Sequence, residues 1–227
     1  MKQVTRLALA AVLVGGAVNT HAYEAGDWIV RLGATTVAPD EDSDSVVLPT
    51  APATVLPGVS IDNDTQLGII PVYMLTDHWG VELLAATPFE HDVTVNGVGI
   101  NAGSVTHLPP TLSMQWYPMG GQSGWQPYVG VGLNYTFIYD EEVDPALAGA
   151  LDALLGATEA KLSLDDSFGL AAQAGVDIPL SENWAINLAV WYIDIDSTAK
   201  VRTDVGTVEF DVSIDPWVYN VGIAYRF

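Results

Sequence analysis

Bulky apolar side chains alternate with small or polar ones along most of the chain. In the C-terminal stretch Trp217, Tyr219, Val221, Ile223, Tyr225 and Phe227 share one parity; Val218, Asn220, Gly222, Ala224 and Arg226 share the other. Successive side chains of a strand point to opposite faces, so this pattern predicts a strand with one greasy face and one small or polar face. It recurs where Phe168, Leu170, Ala172, Ala174, Val176 and Ile178 oppose Ser167, Gly169, Ala171, Gln173, Gly175 and Asp177. Eight such runs are predicted, over residues 27–38, 64–76, 80–92, 105–117, 126–139, 163–179, 184–197 and 208–227. The links alternate: 77–79, 119–125 and 180–183 are short, whereas 39–63, 93–104, 140–162 and 198–207 are longer.

A soluble sandwich would alternate too. Two features favour a membrane barrel. The bulky face is nearly free of charge for about ten residues per strand, the length that crosses a bilayer at a tilt. Aromatics also gather near strand ends, at Trp28, Trp79, Trp116, Tyr117, Trp125, Trp184, Trp217 and Phe227, as interfacial girdles do. In lipid every backbone N–H and C=O needs a partner, which forces a sheet to close on itself. The expected fold is therefore all-β: an eight-stranded antiparallel transmembrane β-barrel, with both termini and the short turns on the periplasmic side.

Lys2 and Arg6, the apolar run 7–18 and Thr20-His21-Ala22 read as a secretory signal peptide cleaved after Ala22. The expected organisation is a leader over 1–22 and an outer-membrane barrel over 23–227. With 28 acidic against 7 basic residues, the formal charge is −21. Such a surface repels phosphate, which excludes nucleic acid as a partner. Apolar residues make up 49% of the chain, too many for an acidic disordered protein. The absence of cysteine removes disulfides, thiolate metal sites, thiol nucleophiles and a lipidated cysteine.

Several runs carry a family resemblance. They are Asn63-Asp64-Thr65-Gln66-Leu67-Gly68, Gly80-Val81-Glu82-Leu83-Leu84-Ala85-Ala86-Thr87-Pro88-Phe89 and His107-Leu108-Pro109-Pro110-Thr111-Leu112. Further on stand Pro127-Tyr128-Val129-Gly130-Val131-Gly132-Leu133-Asn134-Tyr135, Val190-Trp191-Tyr192-Ile193-Asp194-Ile195-Asp196 and Asp215-Pro216-Trp217-Val218. In combination they resemble the OmpW/AlkL family of small outer-membrane barrels, and the OmpW branch more than the AlkL branch. The resemblance implies an eight-stranded barrel that helps small hydrophobic compounds across the outer membrane. It also implies that Leu84 and Trp191, which share the inward parity, narrow a hydrophobic channel. Tyr225-Arg226-Phe227 resembles the aromatic-ended signal read by the barrel assembly machinery. The acidic run Asp40-Glu41-Asp42-Ser43-Asp44 departs most from the family.

Inward parity places Arg31, Glu82, Gln115, Asp177, Asn187 and Arg226 towards the periplasmic end. Opposite charges inside a narrow barrel are costly unless paired, so a hydrogen-bonded plug is expected. Above it Ile70, Val72, Leu84, Ala86, Trp191 and Ile193 form an apolar lining. Each taken singly also fits ordinary core filling, because eight strands enclose space for side chains or one small ligand. Pro88 and the Pro109-Pro110 pair fall at similar height on the third and fourth runs. Proline brings no N–H to a ladder. This seam is either a pair of bulges or a side opening into the bilayer.

Asp144 and Pro145 start a helical pattern through Leu147, Leu151, Leu154 and Leu155 in a long outer loop. That helix either guides solute or packs on its own loop. The run Asp40 to Asp44 could hold divalent cations among lipopolysaccharide phosphates, but it fits no EF-hand spacing, so a solvated loop is expected. Catalysis would need a nucleophile beside a base. His91 and His107 could lie side by side near the outer rim, with Ser104 and Ser113 nearby in sequence, yet no G-x-S-x-G accompanies them. Two histidines also make only a weak metal site. No enzyme activity, cofactor or metal is expected. The expected function is an outer-membrane channel for small hydrophobic solutes with lateral release into lipid; the alternative is a structural or adhesive barrel without transport.

Overall fold

The computed structural model describes residues 22–48 and 54–227. Apart from Ala22, the leader expected over 1–22 lies outside the described residues. The chain begins with β1 (Trp28–Ala38), followed by the short strands β2 (Asp42–Ser43), β3 (Val46–Leu48), β4 (Thr54–Leu56) and β5 (Val59–Ile61). Next come β6 (Asp64–Thr76), β7 (Trp79–Ala86), β8 (Phe89–Val95), β9 (Ile100–Leu108), β10 (Thr111–Trp116) and β11 (Gln126–Val143). The helix α1 (Pro145–Leu155) precedes β12 (Ala160–Leu164), β13 (Ser167–Pro179), β14 (Trp184–Ile193), β15 (Asp196–Thr203), β16 (Gly206–Ser213) and β17 (Trp217–Arg226).

Eight strands close a ring. β1 pairs with β6 on one side and β17 on the other; the circuit runs on through β7, β10, β11, β13 and β14, every pair antiparallel. Closure gives each strand two neighbours and removes the open edge that lipid would punish. Among the described residues no helix is long and apolar enough to cross a membrane. Lumen-facing and outward residues follow the expected parity: Ile29, Arg31, Thr35 and Val37 are buried, whereas Trp28 and Leu32 are exposed. The outward face carries a band of bared aliphatics, with Val131 69%, Leu170 65% and Val221 61% exposed. So continuous an apolar belt suits acyl chains and not water. One girdle assignment fails. Tyr117 is fully buried, because its odd parity, shared with Gln115, turns it into the lumen, where its hydroxyl finds polar partners.

Beyond the girdle the strands do not simply stop. Five expected runs are each split in two, at residues 87–88, 109–110, 165–166, 194–195 and 214–216. Neighbouring strands break beside one another, and the upper pieces continue as extracellular β structure. The segments 93–104 and 198–207, expected as loops, form most of two hairpins, β8 with β9 and β15 with β16. Proline accounts for three breaks, since Pro88, Pro109-Pro110 and Pro216 bring no N–H. Asp215 adds a left-handed turn at φ 38°. The break at Thr87-Pro88 also switches faces: even-numbered residues point inward on β7, but Phe89 and His91 are the buried ones on β8.

The helix forms where its pattern predicted it. Asp144 accepts a hydrogen bond from the Ala146 N–H at 2.7 Å, and Gly156 ends the helix in the left-handed conformation at φ 70°.

Candidate functional site: a charged floor, a side cleft and an outer chamber

The lower lumen is filled by a polar network centred on Arg31. Its guanidinium donates to Glu82 through Nη1 at 2.5 Å and to Asp177 through Nη2 at 2.7 Å and Nε at 3.2 Å. Nη2 also reaches the Tyr117 hydroxyl at 2.9 Å, and the cation lies 4.4 Å from the Tyr128 ring centre. One cation between two carboxylates leaves an excess negative charge, which neutral donors share. Glu82 accepts from Gln115 at 2.6 Å and from Gln173 at 3.0 Å; Asp177 accepts from Tyr23 at 3.0 Å and from Asn187 at 2.8 Å. Asn220 donates in turn to Asn187 at 2.9 Å. Fixed donors of this kind make a buried ion triad tolerable.

Five of the six residues expected in a plug meet here: Arg31, Glu82, Gln115, Asp177 and Asn187. Arg226 does not. It is the last residue of β17 and sits at the rim, where it donates to the carbonyls of Ala22 at 2.6 Å and Glu182 at 3.2 Å and lies 3.6 Å from Asp27. Tyr23, Tyr117, Tyr128, Gln173 and Asn220 belong to the network without having been anticipated. Parity was available as a signal for four of them, but Tyr23 precedes the first strand and carries none. Tyr128 is admitted because Gly175 faces its ring, where a Cβ would collide.

Above this floor Ile70, Val72, Trp191 and Ile193 are fully buried and pack as one apolar cluster with Leu84, which is 3% exposed; Ala86 packs against it half-buried. The Trp191 indole N–H donates down to Glu82 Oε1 at 3.3 Å. The ladder then opens on one side. β7 pairs with β10 up to Leu84 opposite Thr111, and β8 pairs with β9 only from Phe89 opposite His107. Between these rungs lie Ala85, Ala86, Thr87 and exposed Pro88 on one chain segment and Leu108, Pro109 and Pro110 on the other. A cleft of about 210 Å³ occupies the gap. Thr35, Val37, Leu84, Ala86, Phe89 and Val218 line it from the lumen, and Leu108, Pro110 and Phe137 from the outward face. Its lining thus comes from both faces of the sheet.

A second cavity, also about 210 Å³, lies in the extracellular structure. Leu151, Leu154 and Leu155 of α1 roof it against Val93 and Val105 of the first hairpin and Val201, Val208 and Phe210 of the second. Apart from Thr203 and Gly206, every lining residue is aliphatic or aromatic. Such a lining matches hydrocarbon in polarity and offers no partner to a polar group. Between chamber and cleft His91 and His107 meet, Nε2 to Nε2, at 2.9 Å. Burial holds His91 below the usual histidine range, and burial with the neighbouring imidazole pushes His107 down to about 3.

Residues 24–227 match the family model described as the OmpW family. The chain is 41% identical over 228 residues to outer membrane protein W of Escherichia coli (strain K12), spanning 100% of both. Its fold is similar to the crystal structure of the outer membrane protein OprG from Pseudomonas aeruginosa, with TM-score 0.81 and 40% identity over 92% of this chain and 99% of that one. A more distant relative, the dibenzothiophene metabolism operon protein PahQ of Pseudomonas aeruginosa, is 26% identical over 208 residues, 90% of each chain. A closed eight-stranded barrel with a lipid-facing belt, matched from end to end by outer-membrane relatives, belongs to the OmpW family and resides in the outer membrane of a Gram-negative cell.

Proposed function

We propose that this barrel passes small apolar molecules across the lipopolysaccharide leaflet and releases them sideways into the bilayer. The solute gathers in the aliphatic chamber under α1, moves past Phe89 and the constriction set by Leu84 and Trp191, and leaves between Pro88 and Pro109-Pro110. The Arg31 network is the plug: it closes the periplasmic end to water and ions, so the exit must be lateral. The observation that carries this reading is the cleft whose walls come from both faces of the sheet, at the one stretch where β7–β8 and β9–β10 lose their rungs. The operon for which PahQ is named handles a compound of the matching chemistry. Residues 1–22 serve as the leader, and Tyr225-Arg226-Phe227 as the signal to the barrel assembly machinery.

The chain has no cysteine, so a staple can be placed cleanly. Ala86→Cys with Pro109→Cys spans the cleft. In proteoliposomes the oxidised pair slows uptake of an apolar dye several-fold, and reductant restores it. Equal uptake in both redox states overturns the route. A purely structural barrel is the second reading, favoured by the full burial of Ile70, Val72 and Ile193; it expects no uptake above that of empty liposomes.

A further inference from the structure

The two mature-chain histidines of the outer rim, when both are neutral, make an arrangement with only one consistent set of hydrogens. His91 Nδ1 lies 2.5 Å from the carbonyl oxygen of Asp62. A carbonyl only accepts, so Nδ1 carries the hydrogen and the neutral ring leaves Nε2 bare. His107 Nε2, 2.9 Å away, must then be the donor of the imidazole–imidazole bond. In this neutral state the two rings are opposite tautomers. Phe89 packs on both, its centre 5.5 Å from His107 and 6.4 Å from His91.

Their position ties them to the route. On the inward parity β8 runs Phe89, His91 and half-buried Val93, and β9 runs Val105 and His107, with Pro109 just past its end. Val93 and Val105 line the chamber, whereas Phe89 and Pro109 line the cleft. The pair thus sits between the two cavities, and Phe89 opposite His107 is the first rung above the gap.

We infer that His91 and His107 form a proton-released clasp which, while neutral, holds Phe89 across the passage from chamber to cleft and in acid lets it swing aside. The inference rests on the lateral route proposed above and adds its regulation. A first proton leaves one imidazolium–imidazole bond, since the neutral ring can turn its bare nitrogen to the charged one; a second proton puts two N–H groups face to face and breaks it. Protonation of His107 at Nδ1 sets a cation in a site that is 8% exposed and shielded by Phe89, so the charged ring is better accommodated hydrated, outside the clasp. The carboxylates that bear on the pair are Asp64 of β6, which acts on both rings, and Asp62, which acts on His91; both favour the charged form but do not outweigh burial. Glu90 and Asp92, the alternate residues of β8, point outward and are exposed, and β11 offers only Ile138 opposite His107.

The sign follows. A histidine kept neutral in the clasp and free to titrate near 6.5 outside it favours closure fully above that pH and loses the advantage as pH falls towards 3. For one such ring, pH 4.5 shifts the open-to-closed ratio by about 100-fold relative to neutral pH.

The test uses the full chain in phospholipid nanodiscs, following the histidine ring nitrogens and the Phe89 ring carbons by NMR from pH 7.5 to 4, with apolar dye uptake measured in parallel. The expected result is loss of the His91–His107 coupling and movement of Phe89 at one shared midpoint, with faster uptake in acid. His107→Gln keeps a donor to His91 Nε2 but cannot take up a proton, and is expected to move that midpoint down or abolish it. Rings that stay neutral and bonded at pH 4, or that titrate without moving Phe89, overturn the clasp. If Phe89 moves with the titration while uptake stays flat at every pH, the clasp stands and the lateral route falls.

Discussion

Trp191 hangs from Glu82: its indole N–H meets the same carboxylate that accepts from Arg31, so the largest fully buried side chain of the lumen is fastened to its ionic floor. Oε1 of that carboxylate also accepts from Gln173, whereas Oε2 takes Arg31 and Gln115. Trp191→Phe keeps a ring and loses the N–H. Because Gln173 still occupies Oε1, the loss in unfolding stability is about 1 kcal/mol, measured by urea titration in micelles. On the proposed route the unfastened ring also quickens uptake of apolar solutes.

Removal of the cation is far more damaging. Arg31→Met leaves the buried carboxylates of Glu82 and Asp177 with no positive partner, which costs about 3–5 kcal/mol. The heat-dependent gel shift of the folded barrel reports it. A wild-type transition temperature in Arg31→Met would show that the network is not an ion triad.

Asp144→Ala deletes the cap of α1 and costs that helix about 1 kcal/mol. Hydrogen exchange is expected to speed up in the amides of α1, while β1 and β17 keep their protection, since no barrel rung involves the helix.

Leu151→Asn places an amide in the aliphatic chamber, where it lacks a partner. The penalty is about 1–3 kcal/mol. Binding of an environment-sensitive apolar dye to the outer end should weaken accordingly, with the lower barrel's thermal stability unchanged.

Acid is expected to act locally on the upper sheet. Neutral His91 and His107 support β8 and β9 fully above pH 6.5, and that support fades as pH falls towards 3. Amide protection at Val93 and Val105 should drop over this interval in the native protein and much less in His107→Gln.

The barrel was legible because period-two alternation is a local property: each strand shows its own inward face without knowledge of its neighbours. That was enough to put Arg31, Glu82 and Asp177 inside, on β1, β7 and β13, three strands none of which pairs with another. Which of them touch is set by closure of the ring. Arg226 shares their parity yet ends one strand too low, and Tyr117 looked like a girdle aromatic because it stands at a strand end beside Trp116. The outer structure was hidden for a different reason. Val201, Val208, Phe210 and Val212 alternate with Lys200, Arg202, Glu209 and Asp211, a mixture that reads as a polar loop until the second hairpin strand covers it. The chamber they line draws on five separated stretches, so no single window of the chain announces it.

Because the strands break beside one another, the molecule has two storeys joined at the breaks around Pro88, Pro109-Pro110, Asp165-Asp166, Asp194-Ile195 and Pro216 and by the unbroken β11. Below the breaks lie the rungs of the ring and the Arg31 ion contacts; above them lies the aliphatic chamber. The upper storey can thus diversify, or be grafted from one barrel to another, without touching the Arg31 network beneath.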